Sequence, residues 1–246
     1  MPTSDSSPAG DEEIPPLGDF FILRSYTPKT YVFSLADGTS LTQTCDALDS
    51  ASTDFDLTGQ IVWMVSRVTA HYIAREGERL LAGARVLELG AGAGLVGLVA
   101  SRWARELTLS DNEGEVLSLL ERNLAHVPPS CSASVVDLDW GDARAHARLQ
   151  PFPVILGADV VFWSAAIAPL ISSVAALLHR PGGVFILGYY NRVESMRTRL
   201  LEEAAKAGLV WEVIGWEWLG DEPPEEYRSS LHNMCIYRFT WAGAVR

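Results

Sequence analysis

Arg85-Val-Leu-Glu-Leu-Gly-Ala-Gly-Ala-Gly-Leu-Val-Gly-Leu-Val-Ala100 is the stretch that decides how this chain folds. It begins as a short apolar run, passes through three alternating glycines and continues as a small-residue helical pattern. This order predicts a strand, a tight turn and a helix N-terminus, where backbone N–H groups can meet a nucleotide-like ligand. The part from Gly92 to Gly97 fits G-x-G-x-x-G, a match that is weak by itself.

Glu88 lies at the carboxyl end of the predicted strand, just before the glycines. A dinucleotide would bring a doubly charged pyrophosphate to this turn, and a nearby carboxylate would repel that charge. S-adenosylmethionine (SAM) instead carries an ammonium, a sulfonium and a ribose. Glu88 therefore favours SAM over a dinucleotide as the ligand of the turn.

The length and composition are those of one large α/β domain. The 246 residues are enough for a sizeable core, and 48% apolar with 20% charged residues is ordinary for a globular protein. The formal net charge of −12 argues against a nucleic-acid partner, because binding nucleic acid normally needs a basic stripe. An acidic surface suits a basic protein partner, although excess acid also maintains solubility.

Three scattered cysteines, Cys45, Cys131 and Cys235, form no C-x-x-C pair, and the histidines show no metal-ligand spacing. We therefore expect neither a disulfide framework nor a metal site, and a reducing compartment fits. The N-terminus lacks the basic and apolar regions of a signal peptide, and no uncharged apolar run reaches membrane-spanning length. The expected location is the cytoplasm, away from membranes, with the nucleus as an open alternative.

The chain divides into a tail and one domain. Residues 1–18 are rich in Ser, Pro and acid, and we predict a disordered tail there. Residues 19–246 are expected to form a single domain, in which a hairpin and a helix (19–80) precede the cofactor-binding core. The hairpin strands are predicted at 19–24 and 30–35, followed by a loop at 41–55 and a helix at 59–75.

From residue 85 onward, strands alternate with helices, and predicted strands at 211–219 and 234–241 close the chain as an antiparallel pair. This alternation predicts a doubly wound, seven-stranded, mostly parallel sheet. Two of its strands end in a carboxylate, at Asp111 and at Asp159. Because parallel strands bind ligands at their carboxyl ends, both side chains are expected at the ligand edge of the sheet.

Asp111 lies about 20 residues past the glycine turn. In this architecture, an acidic side chain at that position binds the ribose hydroxyls of the ligand. A helix N-cap is a compatible alternative for Asp111, and a loop or helix cap is the alternative for Asp159. Trp63 lies beside the apolar stripe of the predicted helix at 59–75, and that pattern alone assigns it to the core.

Five motifs occur in order between residues 20 and 241: Gly59-Gln-Ile-Val-Trp63, Glu88-Leu-Gly-Ala-Gly-Ala-Gly94, Leu109-Ser-Asp111, Leu138-Asp-Trp-Gly141 and Leu156-Gly-Ala-Asp-Val-Val-Phe162. In this combination the chain resembles the seven-β-strand, SAM-dependent protein-lysine methyltransferases, which act mainly on non-histone proteins. The resemblance implies a class I, Rossmann-like methyltransferase domain and a protein substrate. It also implies SAM as the methyl donor and S-adenosylhomocysteine as the product.

The resemblance also assigns cofactor-binding residues. Asp111 would bind the ribose hydroxyls, Trp140 would pack near the adenine, Trp63 would close over the cofactor, and the backbone of Ala158 would line the pocket. The methionine part of SAM would meet the backbone of the glycine turn at Gly90, Ala91 and Gly92.

The acceptor side departs from the family pattern. The family typically has Asp-x-x-Tyr where this chain has Asp159-Val-Val-Phe162, so the phenol oxygen is missing, and Tyr189 or Tyr190 is a candidate substitute. We predict that Asp159 docks and orients the substrate amine and that Phe162 walls the channel. The acidic loop at 220–226 and the N-terminal hairpin are expected to face the substrate.

Two other functions stay open from the sequence. One is methyl transfer to another protein nucleophile, such as a histidine ring nitrogen, which needs no docking of a lysine ammonium. The other is a SAM-binding interaction module without catalysis, which the missing tyrosine would suit. A nucleotide triphosphatase is excluded because no G-x-x-x-x-G-K-[ST] motif occurs.

Overall fold

The computed structural model describes residues 26–49, 55–220 and 223–243. The strands within these ranges are β1 Thr27–Ser34, β2 Ser40–Ala47, β3 Arg85–Leu89, β4 Glu106–Asp111, β5 Ser132–Asp137, β6 Val154–Ala158, β7 Val184–Tyr190, β8 Leu209–Ile214 and β9 Met234–Trp241. The α-helices are α1 Met64–Leu81, α2 Leu95–Ala100, α3 Gly114–Asn123, α4 Ala143–His146, α5 Ile167–Leu177, α6 Glu194–Lys206 and α7 Glu225–Arg228.

The strands β3 to β9 form one seven-stranded sheet in the order β5-β4-β3-β6-β7-β9-β8. The strands β3 to β7 run parallel to one another, and β9 runs antiparallel to both of its neighbours. The prediction of a doubly wound, mostly parallel sheet is confirmed. The strand order reverses between β3 and β6, the point at which open α/β sheets bind ligands.

Helices cover both faces of this sheet because its central strands are apolar on both sides. On β3, Val86 is buried against the layer that contains α1, α2 and α3, and Leu87 is buried against the layer of α5 and α6. The period-two alternation of a strand then turns Glu88 toward the first layer, underneath α2.

A separate antiparallel hairpin, β1 with β2, precedes the sheet. Its second strand, Ser40–Ala47, lies in the segment predicted as a loop, so that prediction was wrong. The polar sequence of the strand hid a partly alternating pattern, in which Gln43, Cys45 and Ala47 are buried. The predicted strand at 19–24 and the predicted tail at 1–18 lie outside the described residues, and the predicted division into tail and domain stays a prediction.

Asn123, at the end of α3, ties this hairpin to the glycine turn. Its buried side-chain oxygen accepts a hydrogen bond from the backbone N–H of Asp46 at 2.7 Å. Its side-chain nitrogen donates to the carbonyl oxygens of Asp46 and Ala93, each at 2.9 Å. Because a buried amide is costly to leave unpaired, these three bonds fix β2 against the turn.

Several predicted boundaries differ from the structure, and two of the differences have a clear physical cause. Strand β8 ends at Ile214, whereas the strand was predicted to continue to residue 219, where the chain instead forms a 3-10 turn. The chain leaves the sheet here because Trp218 packs edge-on against Tyr72 of α1, with ring centroids 5.4 Å apart. Helix α1 begins at Met64 rather than near residue 59, because Phe55–Gln60 forms a 3-10 helix first. Nowhere in the described ranges is a helix both long and apolar enough to span a membrane.

Candidate active site

A cavity of about 630 Å³ opens at the carboxyl ends of β3, β4 and β6, where the strand order reverses. Its volume is in the range of cofactor pockets. The wall includes nine of the ten predicted site residues, namely Trp63, Gly90, Ala91, Gly92, Asp111, Trp140, Ala158, Asp159 and Phe162. Motifs that are far apart in sequence therefore meet at one site.

The glycine turn exposes bare backbone to this cavity. Gly90 and Gly92 have φ values of 61° and 55°, a region that residues with a side chain rarely adopt. A Cβ on Gly90 would come within 2.8 Å of side-chain atoms of Trp140 and Val160, and a Cβ on Gly92 within 2.8 Å of the Gly59 carbonyl oxygen. The turn therefore requires glycine at both positions, for its conformation and for space.

Asp111 braces the turn from the end of β4. Its Oδ2 accepts a hydrogen bond from the backbone N–H of Gly92 at 3.0 Å, and its Oδ1 accepts one from that of Asn112 at 2.9 Å. Burial raises the pKa of the Asp111 carboxyl, and these backbone bonds act in the opposite direction. The predicted alternative, an N-cap, is not what the structure shows, because Glu113 occupies the N-cap position of α3.

Glu88 is the predicted site residue that the structure does not bring to the cavity wall. Its side chain is buried beneath α2, where Oε2 accepts a hydrogen bond from the backbone N–H of Gly97 at 2.7 Å. Burial raises the pKa of Glu88 to about 8, against the lowering effect of that hydrogen bond. Glu88 is therefore placed to support the helix that follows the turn, and its predicted part in cofactor binding stays a prediction.

Trp63 stands at the rim of the cavity and not in the core that its sequence pattern alone suggested. Its side chain is 39% exposed, and its indole N–H donates to the Thr58 carbonyl oxygen at 2.9 Å. This bond holds the orientation of the ring. Trp63 is also the N-cap residue of α1, so the start of that helix fixes its backbone. The role that the family resemblance implied, closing over the cofactor, stays a prediction.

Asp159 forms the opposite side of the site, and its carboxylate is already engaged. Arg192, just past the end of β7, donates from Nη1 to Oδ1 at 2.6 Å and from Nη2 to Oδ2 at 2.7 Å. Asp159 has a φ of 60° and is the one residue other than glycine with a positive φ in the described part of the chain. Such strained positions persist where the surrounding structure holds them, and they are common at functional sites.

Phe162 and Trp163 form an exposed aromatic pair at the mouth, with ring centroids 4.7 Å apart. Neither of the proposed substitutes for the missing phenol contributes to the cavity wall. Tyr189 is buried against Tyr237 with ring centroids 6.0 Å apart, and the Tyr190 hydroxyl accepts a hydrogen bond from Asn233 at 3.3 Å. Both tyrosines are therefore committed elsewhere.

The acidic loop predicted to face the substrate is partly tied down within the molecule. Glu226 pairs with Arg67 of α1, and Glu225 pairs with Arg228 at 2.7 Å. Neither carboxylate contributes to the cavity wall, and residues 221 and 222 lie outside the described residues. The substrate-facing role of this loop and of the hairpin stays a prediction.

Arg192 is the main site residue that sequence reasoning missed. The available signal was a cation two residues past the end of a strand. That signal points to Asp159 only if β7 lies next to β6, and the order of the strands in the sequence does not reveal this. Asn112, Glu113 and Ser66 were also missed and contribute to the wall. Across the described segments, no group of three or more His, Cys, Asp or Glu side chains is arranged to hold a metal ion.

A model of the lysine methyltransferase family matches residues 46–206, about two thirds of the chain. Over 120 residues the chain is 33% identical to mouse (Mus musculus) protein N-lysine methyltransferase METTL21A, covering 48% of the chain and 54% of that relative. Over 165 residues it is 28% identical to the calmodulin-lysine N-methyltransferase of Arabidopsis thaliana, covering 65% of the chain and 53% of that relative.

A third relative is the histone-arginine methyltransferase METTL23 of Xenopus laevis, 31% identical over 125 residues, which are 50% of the chain and 53% of that relative. The chain thus spans about half the length of the curated relatives it matches. Among solved structures, a putative SAM-dependent methyltransferase from Streptococcus mutans aligns with a TM-score of 0.55 at 14% identity, covering 87% of the chain and 56% of that protein. At this identity the alignment supports the fold alone.

Proposed function

The chain belongs to the lysine methyltransferase family, and we propose that it transfers a methyl group from SAM to the side-chain amine of a lysine in a non-histone protein. One observation carries the proposal. The glycine turn and Asp111 share a single cavity with Asp159, so a cofactor-sized site and a carboxylate for an amine lie side by side.

The cavity wall fits SAM. Gly90 and Gly92 present bare backbone to a ligand in the cavity, and Asp111 presents a carboxylate for ribose hydroxyls. Trp140 lies against Gly90 and offers a surface for the adenine, and the exposed ring of Trp63 is placed to cover the ligand. SAM supplies a methyl group on a sulfonium sulfur, and the acceptor nitrogen takes that carbon as the C–S bond breaks.

The protein's task is to position a neutral amine. With an ordinary lysine pKa of about 10.4, holding the amine neutral near pH 7 costs about 4–5 kcal/mol. Desolvation in the cavity lowers that pKa because it disfavours the charged form. Asp159 would orient the amine through hydrogen bonds, and Phe162 with Trp163 would limit access of water at the mouth. The proton leaves to solvent before transfer.

The proposal is tested with SAM labelled in its methyl group. Labelled SAM, the protein and an extract of cells lacking it should yield a labelled protein band, and residue-level mass spectrometry should place the label on lysine. Asp159→Ala should reduce transfer by about 1,000-fold while the Kd for SAM, measured by calorimetry, stays within about threefold. Asp142→Ala, which removes an exposed cap of α4 outside the cavity, is the matched control. Full activity of Asp159→Ala would remove Asp159 from the mechanism.

Arginine is a second candidate acceptor. The Asp159 carboxylate already accommodates a guanidinium in a two-point pair, and one relative is named a histone-arginine methyltransferase. The same mass spectrometry separates the acceptors, because a label on arginine or on histidine would replace the lysine assignment. SAM binding without labelling of any protein would instead favour an interaction module.

The proposal extends to location and partners. Three free cysteines, two of them buried, suit a reducing cytoplasm. The net charge of −12 suits a basic protein substrate more than a nucleic acid. Transfer that weakens as salt rises from about 0.05 to 0.5 M, with unchanged SAM affinity, would support electrostatic attraction of the substrate. Salt-independent transfer would contradict it.

A further inference from the structure

The pair between Asp159 and Arg192 occupies the place where the acceptor amine would dock. The Asp159 side chain is only 7% exposed, against 36% for that of Arg192, and both residues contribute to the cavity wall. The guanidinium also lies over the ring of Tyr190, with Cζ 5.1 Å from the centroid. Two hydrogen bonds and a ring contact therefore hold Arg192 in this position.

The geometry leaves the carboxylate able to bind an amine while it is paired. An ionised carboxylate has about four acceptor sites on its two oxygens, and Arg192 uses one site on each. An amine in the cavity can therefore still donate to Asp159. The charge that the amine meets, however, is that of a neutral pair and not that of a free carboxylate.

This difference matters for methyl transfer because only a neutral amine has the lone pair that attacks. An isolated carboxylate within about 4–6 Å favours the ammonium and shifts a neighbouring pKa by about one to three units. Such a shift would oppose the chemistry that the site is proposed to perform. A carboxylate already neutralised by Arg192 can orient the amine without holding its proton.

We propose that Arg192 is a positioning residue that fixes Asp159 and cancels its charge, so that the bound acceptor amine loses its proton near neutral pH. The inference rests on the proposed function and adds a residue that sequence reasoning did not assign. Arg192 acts through Asp159 and does not itself receive the methyl group.

The other charged and titratable groups around the pair are accounted for within the described residues. On α6, Glu194 is paired with Arg197, and Arg199 donates to the Ser164 hydroxyl at 2.8 Å. Tyr190 lies under the guanidinium, and Tyr189 is buried behind it. Across the cavity stand Asp111 and Glu113. Because both of these α6 arginines have other partners, Arg192 is the cation placed to neutralise Asp159.

The test is the pH dependence of kcat, measured with the acceptor protein that the labelling experiment identifies, because kcat reports ionisations in the bound complex. Arg192→Gln should move the acid limb of the profile up by about one pH unit, because unpaired Asp159 then stabilises the ammonium. Near pH 7 the variant should be about tenfold slower, and the two profiles should converge above about pH 10. Arg192→Lys keeps the charge but not the two-point pairing, so its acid limb should stay in place.

The double variant Asp159→Asn with Arg192→Gln makes the test specific to charge. It replaces the neutral pair with two neutral side chains, so its acid limb should return to the wild-type position even though its rate is lower. Arg197→Gln, which breaks an exposed ion pair outside the cavity, is the control and should leave the profile unchanged.

A second readout needs no turnover. An acceptor peptide labelled with ¹³C at the lysine Cε, bound with S-adenosylhomocysteine, reports the pKa of its amine by NMR. This pKa should rise by about one unit in Arg192→Gln. An Arg192→Gln enzyme that is slower by the same factor at every pH, or whose bound amine keeps the wild-type pKa, would overturn the inference alone. A wild-type protein that transfers no methyl group would overturn the proposed function and the inference with it.

Discussion

The two sides of the cavity are built differently. The cofactor side, which we define as Gly90, Ala91, Gly92, Asp111 and Trp140, is held by backbone conformation and by hydrogen bonds to backbone N–H groups. The acceptor side, defined as Asp159, Phe162, Trp163 and Arg192, is held by an ion pair and by exposed aromatic rings. We expect almost no substitution to be tolerated where backbone conformation forms the site. Where side chains form it, substitutions can change which acceptor is bound.

The largest effect on SAM binding is expected at Gly92. Gly92→Ala should weaken SAM binding by about 100-fold, because its Cβ meets a backbone oxygen of the cavity wall at 2.8 Å and its φ is positive. Gly83→Ala is the matched control, since Gly83 also has a positive φ, 67°, but open space around a Cβ. Calorimetry should show nearly wild-type SAM affinity for Gly83→Ala. Equal losses in both variants would mean that strain, and not crowding of the site, causes the effect.

Asp111→Asn should weaken SAM binding by about 30-fold, because an amide is a poorer acceptor for ribose hydroxyls and for the Gly92 N–H than a carboxylate. Asp137→Asn is the control. Asp137 lies directly across from Asp111 on the neighbouring strand but is exposed and outside the cavity wall. Comparable losses from the two variants would contradict a specific role for Asp111.

The buried carboxyl of Glu88 lies beneath the helix that follows the glycine turn, and its ionisation is expected to make the stability of the protein depend on pH. Its folded-state pKa of about 8 lies above its unfolded value of 4.5, so the native state binds more protons and loses stability as pH rises between these values. Glu88→Gln should remove this loss. The difference in unfolding free energy between variant and wild type should grow by about 1.4 kcal/mol per pH unit across that window.

Chemical denaturation at pH 5.5, 6.5 and 7.5 measures this difference. Glu121→Gln, an exposed change on α3, is the control and should show no trend. A constant difference between Glu88→Gln and wild type would mean that Glu88 ionises normally in the folded protein.

The smallest effect is expected at Phe162. Phe162→Tyr adds a hydroxyl to a ring that is 38% exposed, where water can satisfy the new group without a desolvation cost. We expect kcat/KM for the acceptor to rise by no more than about threefold, with SAM affinity unchanged. If SAM affinity changed by more than about tenfold while the acceptor kinetics stayed the same, Phe162 would be assigned to cofactor binding.

Much of the fold follows from local patterns. The strand at 234–241 has the predicted bounds, because its apolar and aromatic residues face two covered sides of a sheet. Strand β2 was missed because its Ser, Thr and Gln side chains are stabilised by pairing with β1 and by packing near α3, contacts that a window of sequence cannot contain. The end of β8 was missed for the same kind of reason, since packing of Trp218 on α1 decides it.

The sequence by itself predicted the glycine turn and the carboxylate of Asp111 beside it. Glycines with positive φ and a carboxylate at the next strand end are short-range signals, because the turn and the two strands lie within about 27 residues of one another. Only the tertiary structure decided that Glu88 points under α2 and that Arg192 reaches Asp159, 33 residues away along the chain. The physical reason is that backbone conformation is set by neighbours in sequence, whereas the charge of a site is set by neighbours in space.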